Sequence, residues 1–243
     1  MINVMNQPSY RIFFTRQLPE TQGRWNGAVW SSVLPLSVDC RRPEGSPHHP
    51  GTFCKLLYDD TNIYGIFRVE DQHVRSIHTL FQSEVWKDSC VEFFVQPKVD
   101  GGYFNFEFNC GGALLAFNCV GVHILAAALL ASYLTNPTRA NGILQEFQPL
   151  TPADDRQIRR FSSLAGLVDP EIPEPIVWHL EFSIPFAVLE KYAGPPCAAA
   201  GQIWRANFYK CGNETSHPHW LSWAPLRERN FHDPASFGSI EFC

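Results

Sequence analysis

Methionine is nearly missing from this chain of 243 residues, and the two present, Met1 and Met5, fall in the first five positions. A Met/His haem ligand pair would have to draw on that frayed end, which excludes a cytochrome-type electron carrier. Charge of one sign is never concentrated: the formal net charge of −5 contains no long basic run, so no stripe follows a phosphate backbone and nucleic acid is excluded as a partner. Enzyme signatures are missing too, since there is no Gly-x-Ser-x-Gly elbow, no phosphate-cradling glycine loop and no dinucleotide fingerprint. The opening MINVMNQPSYRIFF lacks the basic patch, apolar stretch and small-residue cleavage site of a secretory signal. As written the chain reads as cytoplasmic; a leader placed before it would send it to the periplasm or outside the cell. The eight cysteines (Cys40, Cys54, Cys90, Cys110, Cys119, Cys197, Cys211, Cys243) form no Cys-x-x-Cys pair and read as mostly reduced thiols.

Aromatic residues are abundant instead, at 14%, with seven Trp and nineteen Phe. Large flat rings suit pleated sheets. TFCKLLY and IYGIFRVED, joined by DDTN, form a hairpin pattern whose Asp and Asn tolerate turn geometry. In CVEFFVQP, Cys90, Glu92 and Phe94 share one face, and Val91, Phe93 and Val95 the other. After a turn at Gly101 and Gly102, YFNFEFNC sets Tyr103, Asn105, Glu107 and Asn109 against Phe104, Phe106 and Phe108. WHLEFSIPF, IWRANFYKC and FGSIEFC complete at least seven short strands. The expectation is all-β: a two-sheet antiparallel sandwich, jelly-roll-like, with one or two short helices, as a single domain over residues 1–243.

Only TPADDRQIRRF reads as a helix, with Thr151 as cap, Pro152 in the first turn and Asp154 and Asp155 at the positive end of the dipole. Gly111 to Leu134 carries no Asp, Glu, Lys or Arg and is long enough to cross a bilayer. Asn118, Gly121 and His123 interrupt it and no interfacial anchors flank it, so a buried strand leading into a short apolar helix is expected rather than a membrane span.

Sugar is held by aromatic planes against its C–H faces and by rigid polar groups at its hydroxyls. VWKDSCVEFF and YFNFEFNC bring Trp86, Glu92, Asn105, Glu107 and Asn109, and RANFYKCGNETSHPHWLSWAP brings Asn207, Lys210, Trp220 and Trp223. Together with YDDTNIYGIFRVED, WHLEFSIPF and FHDPASFGSIEF, in this order and with the Trp-x5-Glu spacing, these segments resemble the family 9 carbohydrate-binding modules and their single-domain relatives, from about Trp30 to Phe242. The resemblance implies non-catalytic binding of a mono- or oligosaccharide, with a link to xylan or cellulose and to hydrolases. It implies two aromatic rings clamping the sugar, matched by Trp86 and Trp223. Glu92 matches an acidic residue that accepts from hydroxyls, and Asn109 and Asn207 match polar strand positions. Where better-known members carry an arginine two residues before the strand amide, this chain has Glu107, which reverses the charge. No cofactor is required; structural calcium is compatible with the family, with Asp59, Asp60, Asp71 and Asp88 as oxygen donors but no dense calcium loop.

Two other readings use the same residues. Glu92 and Glu107 on adjacent strands can approach the carboxylate separation of a retaining glycosidase. A structural or interaction sandwich without ligand would put the tryptophans in the core, where Trp25, Trp30, Trp178 and Trp204 are expected anyway. His48 with His49 and His217 with His219 invite zinc, but Pro218 splits the second pair and no carboxylate or Cys stands at ligand spacing, so loop packing is the expectation.

Overall fold

The computed structural model describes residues 7–99, 101–122, 139–140, 143–164, 166–195 and 200–243. Its strands, in chain order, are β1 (Ser9–Phe14), β2 (Leu36–Ser37), β3 (Cys40–Arg41), β4 (Gly51–Tyr58), β5 (Asn62–Asp71), β6 (Val74–Ser76), β7 (Cys90–Gln96), β8 (Tyr103–Asn109) and β9 (Leu114–Val122). There follow β10 (Arg139–Ala140), β11 (Ile143–Pro149), β12 (Arg159–Ser162), β13 (Val168–Ile172), β14 (Ile176–Pro185), β15 (Ile203–Cys211), β16 (Trp220–Ser222) and β17 (Gly238–Phe242). Two short helices are α1 (Pro152–Asp155) and α2 (Phe186–Ala193).

The protein is mostly β, as its alternating runs predict. One sheet runs β10-β11-β9-β8-β7-β15-β17, with β16 on the flank of β15 and β3 beyond it; the other runs β4-β5-β14-β12, with β2 beside β4. β1 belongs to both. Ser9 to Ile12 lie parallel to Ser239 to Phe242 of β17, and Phe13 and Phe14 lie parallel to Leu57 and Tyr58 of β4. These parallel pairings of β1 link two otherwise antiparallel sheets. The hairpin turn is held by Asp59, whose Oδ1 accepts from the backbone N–H of Thr61 and Asn62, both at 2.7 Å.

The core lies between the sheets, where period-two alternation sends Val91, Phe93 and Val95 of β7 and Phe104, Phe106 and Phe108 of β8 against Phe67 and Val69 of β5 and Trp178, Leu180 and Phe182 of β14. Phe182 stacks on Phe108 and Phe93 with ring centroids at 5.3 and 5.7 Å. Gly65 is the cross-strand partner of Phe182, and a Cβ there would enter the Phe182 ring.

The helix expected over TPADDRQIRRF is only its first part. Thr151 and Asp154 close a capping box around α1, but Arg159 to Ser162 pair with Ser183 to Leu180 as edge strand β12. Pairing with the open edge of β14 outweighs helix propensity, and Arg160 fixes the strand by donating to the Gly112 carbonyl at 2.8 Å. α2 follows Pro185 and buries Phe186, Val188 and Leu189. The strand expected within Gly111 to Leu134 is β9; residues 123–134, where a short helix is expected, lie outside the described residues. Among the described residues no helix is long and apolar enough to cross a membrane. Seven described cysteines are free thiols, and Cys197 lies outside the described residues.

Candidate functional site

The face of the first sheet turned away from the core carries Glu92 of β7, Asn105 and Glu107 of β8, Leu115 and Phe117 of β9 and Cys211 of β15, because these positions alternate with the core phenylalanines. They form the floor of a cleft of about 330 Å³. Its walls are Trp86, on a single 3₁₀ turn (Val85–Lys87) just before β7, Trp220 at the start of β16, and Phe147, Phe231 and His232; Arg42, Asn213, Arg229 and Asn230 also line it.

Each wall is fixed from behind. Trp220 Nε1 donates to Asn213 Oδ1 at 2.7 Å, and the Arg42 guanidinium sits 5.2 Å from the Trp220 ring centroid. The backbone N–H of Asn213 donates to the carbonyl of Trp86, so the turn between β15 and β16 holds both indoles. Phe231 stacks on Tyr209 at 4.0 Å, and His232 Nδ1 is hydrogen-bonded to the Tyr103 hydroxyl at 2.8 Å.

The floor is unusually acidic for a buried surface. Glu92 and Glu107 are direct cross-strand partners, only 2% and 4% exposed. Cys211 Sγ donates to Glu92 Oε1 at 3.1 Å, and Asn105 Nδ2 donates to Glu107 Oε1 at 2.7 Å. Glu107 Oε2 is buried and has no hydrogen-bond partner among the described residues. Burial, then the Cys211 thiol and Glu107, pushes the Glu92 carboxyl well above the usual carboxylate range. Burial pushes Glu107 up to about 7, with the Asn105 hydrogen bond opposing it. The floor therefore offers both carboxyl O–H donors and oxygen acceptors near neutral pH.

Of the residues expected at the site, Trp86, Glu92 and Glu107 meet in the cleft; Asn109, Asn207 and Trp223 do not line it. Asn109 donates to the His78 carbonyl and to Asp88 Oδ2 and accepts from Ala113 N–H, which closes the turn after β8. Asn207 donates to the carbonyls of Ala224 and Ser236 and accepts from Ala224 N–H. Both amides are consumed within the protein, Asn207 by backbone and Asn109 by backbone and Asp88. Trp223, 8% exposed, packs in the core with its ring 5.5 Å from Phe208 and fills the space that a side chain at Gly238 would need. Trp220, not Trp223, lines the cleft.

Asn105, on the polar face expected from its alternation with the phenylalanines of β8, also lines the cleft, whereas Asn213, Phe231 and His232 lie in turns and carry no signal in the sequence. The histidine pairs are also closer than loop packing suggested. His48 lies 4.9 Å from His219 and 6.3 Å from His217, and His73 stacks on His217 at 3.7 Å. Beneath them Asp71 accepts from Trp178 Nε1, contacts His48 Nε2 at 2.9 Å and pairs with buried Lys210. Asp59 serves its turn and Asp88 holds Arg75 and the Ile77 and His78 amides, so these aspartates point to separate duties. Among the described residues the group whose donor atoms converge is Cys90, Glu92 and Cys211, all buried, with the three atoms within 4.8 Å of one another.

A two-sheet sandwich with a small cleft of aromatic walls and polar floor is the architecture of a ligand-binding module. The chain belongs to carbohydrate-binding family 9, whose family model matches residues 32–242. It is similar in structure to a Bacteroides uniformis protein solved as a candidate carbohydrate binder, with 26% identity and a TM-score of 0.79 over 98% of this chain and all of that one. Two structures of a family 9 module from Caldicellulosiruptor kristjanssonii share the fold. The complex with glucose has 13% identity and a TM-score of 0.60, over 96% of this chain and 95% of that one. The complex with cellotriose has 12% identity and a TM-score of 0.61, over 97% and 93%. No curated protein matches the chain.

Proposed function

We propose that this protein binds a neutral mono- or oligosaccharide in the cleft between Trp86 and Trp220 and releases it unchanged. The observation that carries the reading is a buried carboxyl pair, with one oxygen unpartnered, set beneath exposed faces of aromatic walls. Sugar hydroxyls can donate to the unpartnered oxygen and accept from a protonated carboxyl, and C–H faces of a pyranose suit the indoles. A cavity near the small end of the usual range of about 300–1,000 Å³ favours a terminal unit over a long stretch of chain. Retaining hydrolysis needs carboxyls flanking the scissile bond about 5 Å apart, whereas Glu92 and Glu107 rise side by side from one sheet, which favours capture over cleavage. Glucose and cellotriose, the sugars bound in the two Caldicellulosiruptor complexes, are the first to titrate.

Stacking on an aromatic face contributes about 1 kcal/mol beyond burial, so Trp86→Ala and Trp220→Ala should each weaken binding tenfold or more in calorimetric titrations. Parent-like binding by either variant would remove that ring from the site. Turnover of aryl glycosides by the parent, lost in Glu107→Gln, would establish an enzyme instead.

A further inference from the structure

Four acidic groups crowd together here, and among the described residues no cation is hydrogen-bonded to them: the Cys211 thiol and the Glu92 and Glu107 carboxyls on the cleft floor, and the buried Cys90 thiol behind it. Cys90 and Cys211 are direct cross-strand partners, Glu92 stands two residues along the same face as Cys90, and Cys211 Sγ lies 3.1 Å from Glu92 Oε1. Lys210, the nearest lysine in sequence, leaves β15 on the opposite side and is held by Asp71 and His219. We propose that Cys90, Glu92 and Cys211 bind a zinc-class divalent cation at the cleft floor, with a fourth coordination position open to the cleft.

Chemistry selects the class of metal. Two thiolates with one carboxylate suit a borderline-soft ion and not calcium or magnesium, which take oxygen donors. Geometry permits it: Zn–S distances of about 2.3 Å set two tetrahedral sulfur ligands about 3.8 Å apart. Donor atoms within 4.8 Å reach that by contracting about 1 Å, a side-chain adjustment. Three protein ligands with an exchangeable fourth position are also the pattern of zinc sites that meet a second ligand. Glu107 Oε2, buried, unpartnered and lining the same floor, is placed to accept from a water or hydroxyl in that position. Binding replaces two thiol protons and any carboxyl proton by the metal, so charge at the floor stays near balance without a redox step. If the cleft takes sugar, that hydroxyl is the sugar's; the metal site itself does not depend on it.

The test uses the full chain, kept reduced and stripped with chelator, titrated with cobalt(II) and then zinc. One equivalent of cobalt should give an intense visible tetrahedral spectrum with a near-ultraviolet thiolate-to-cobalt band, and zinc should displace it. Cys90→Ser and Cys211→Ser should diminish the thiolate band and weaken zinc binding at least tenfold, and Glu92→Gln should weaken binding while the thiolate band remains. His217→Asn, in the histidine cluster, should leave the titration unchanged. The parent spectrum needs no variant: a folded parent showing no thiolate band at stoichiometric cobalt overturns the proposal, as does uptake that survives Cys211→Ser or is lost in His217→Asn. Sugar titrations of the metal-free chain test the cleft reading separately, so either can fail without the other.

Discussion

An indole offers enough flat apolar surface to serve either a core or a sugar, and the side of β16 from which it leaves decides between them here. Trp220 pairs with Cys211, a cleft residue, and Leu221 pairs with Lys210 on the opposite face. Trp223, an odd number of residues from Trp220, returns to the core beside Phe208. Trp223→Ala should therefore cost about 3–5 kcal/mol of stability in urea unfolding, while Trp220→Ala should cost far less and lose sugar binding instead. The reverse pattern would exchange their roles. The Trp-x5-Glu spacing made Trp86 and Glu92 legible in the sequence because both depend on one strand and its entry. The second wall was not, because nothing in LSWAP says which indole follows the register of β15. Asn109 and Asn207 carried the right chemistry on the right strands, but nearby backbone groups, joined by Asp88 at Asn109, engage every amide atom.

At the scale of elements, α1 is four residues long and draws its stability from elsewhere. Asp154 accepts from Thr151 N–H and Oγ1 within the capping box, and from Lys191 and Tyr192 of α2. Burial alone would raise its pKa, but these hydrogen bonds, from Lys191 first, hold it well below the usual carboxylate range. Its contribution is thus present above the unfolded carboxylate pKa and lost as pH falls toward the folded value. Asp154→Ala should lower stability at neutral pH by about 1–3 kcal/mol, read in urea unfolding, by unfastening both helices. A parent-like midpoint would show the anchor to be idle. The capping signals at Thr151 and Asp154 located the start of α1 in the sequence. Its early end was illegible, since only the unpaired edge of β14 explains why RRFS is a strand. The hairpins β4-β5 and β7-β8, whose period and turns are local, were legible in the sequence.

For the molecule as a whole, buried acids and buried histidines pull pH dependence in opposite directions. Burial, with Lys210 beside it, lowers His219 to about 2, and burial lowers His232 to about 4, so below pH 6.5 the unfolded chain takes up protons that these rings refuse. Stability falls on that account as pH drops. Glu107, raised to about 7, and Glu92, raised further, hold protons that the unfolded chain releases above about 4.5, which adds stability as pH drops through the same window. Metal-free protein should accordingly show nearly level stability between about pH 4.5 and 6.5 in urea unfolding. Glu107→Gln should tilt the profile toward lower stability in acid and His232→Gln toward higher; tilts of the same sign would refute the balance. Another property of the whole molecule follows from β1, which lies parallel to β17 and also touches β4. A pull at Ser9 and at Phe242 loads neighbouring strands along their length in opposite directions, so their hydrogen bonds share the force together instead of opening one by one. The sandwich is thus built to resist tension applied between β1 and β17, where these strands must slide past one another to part.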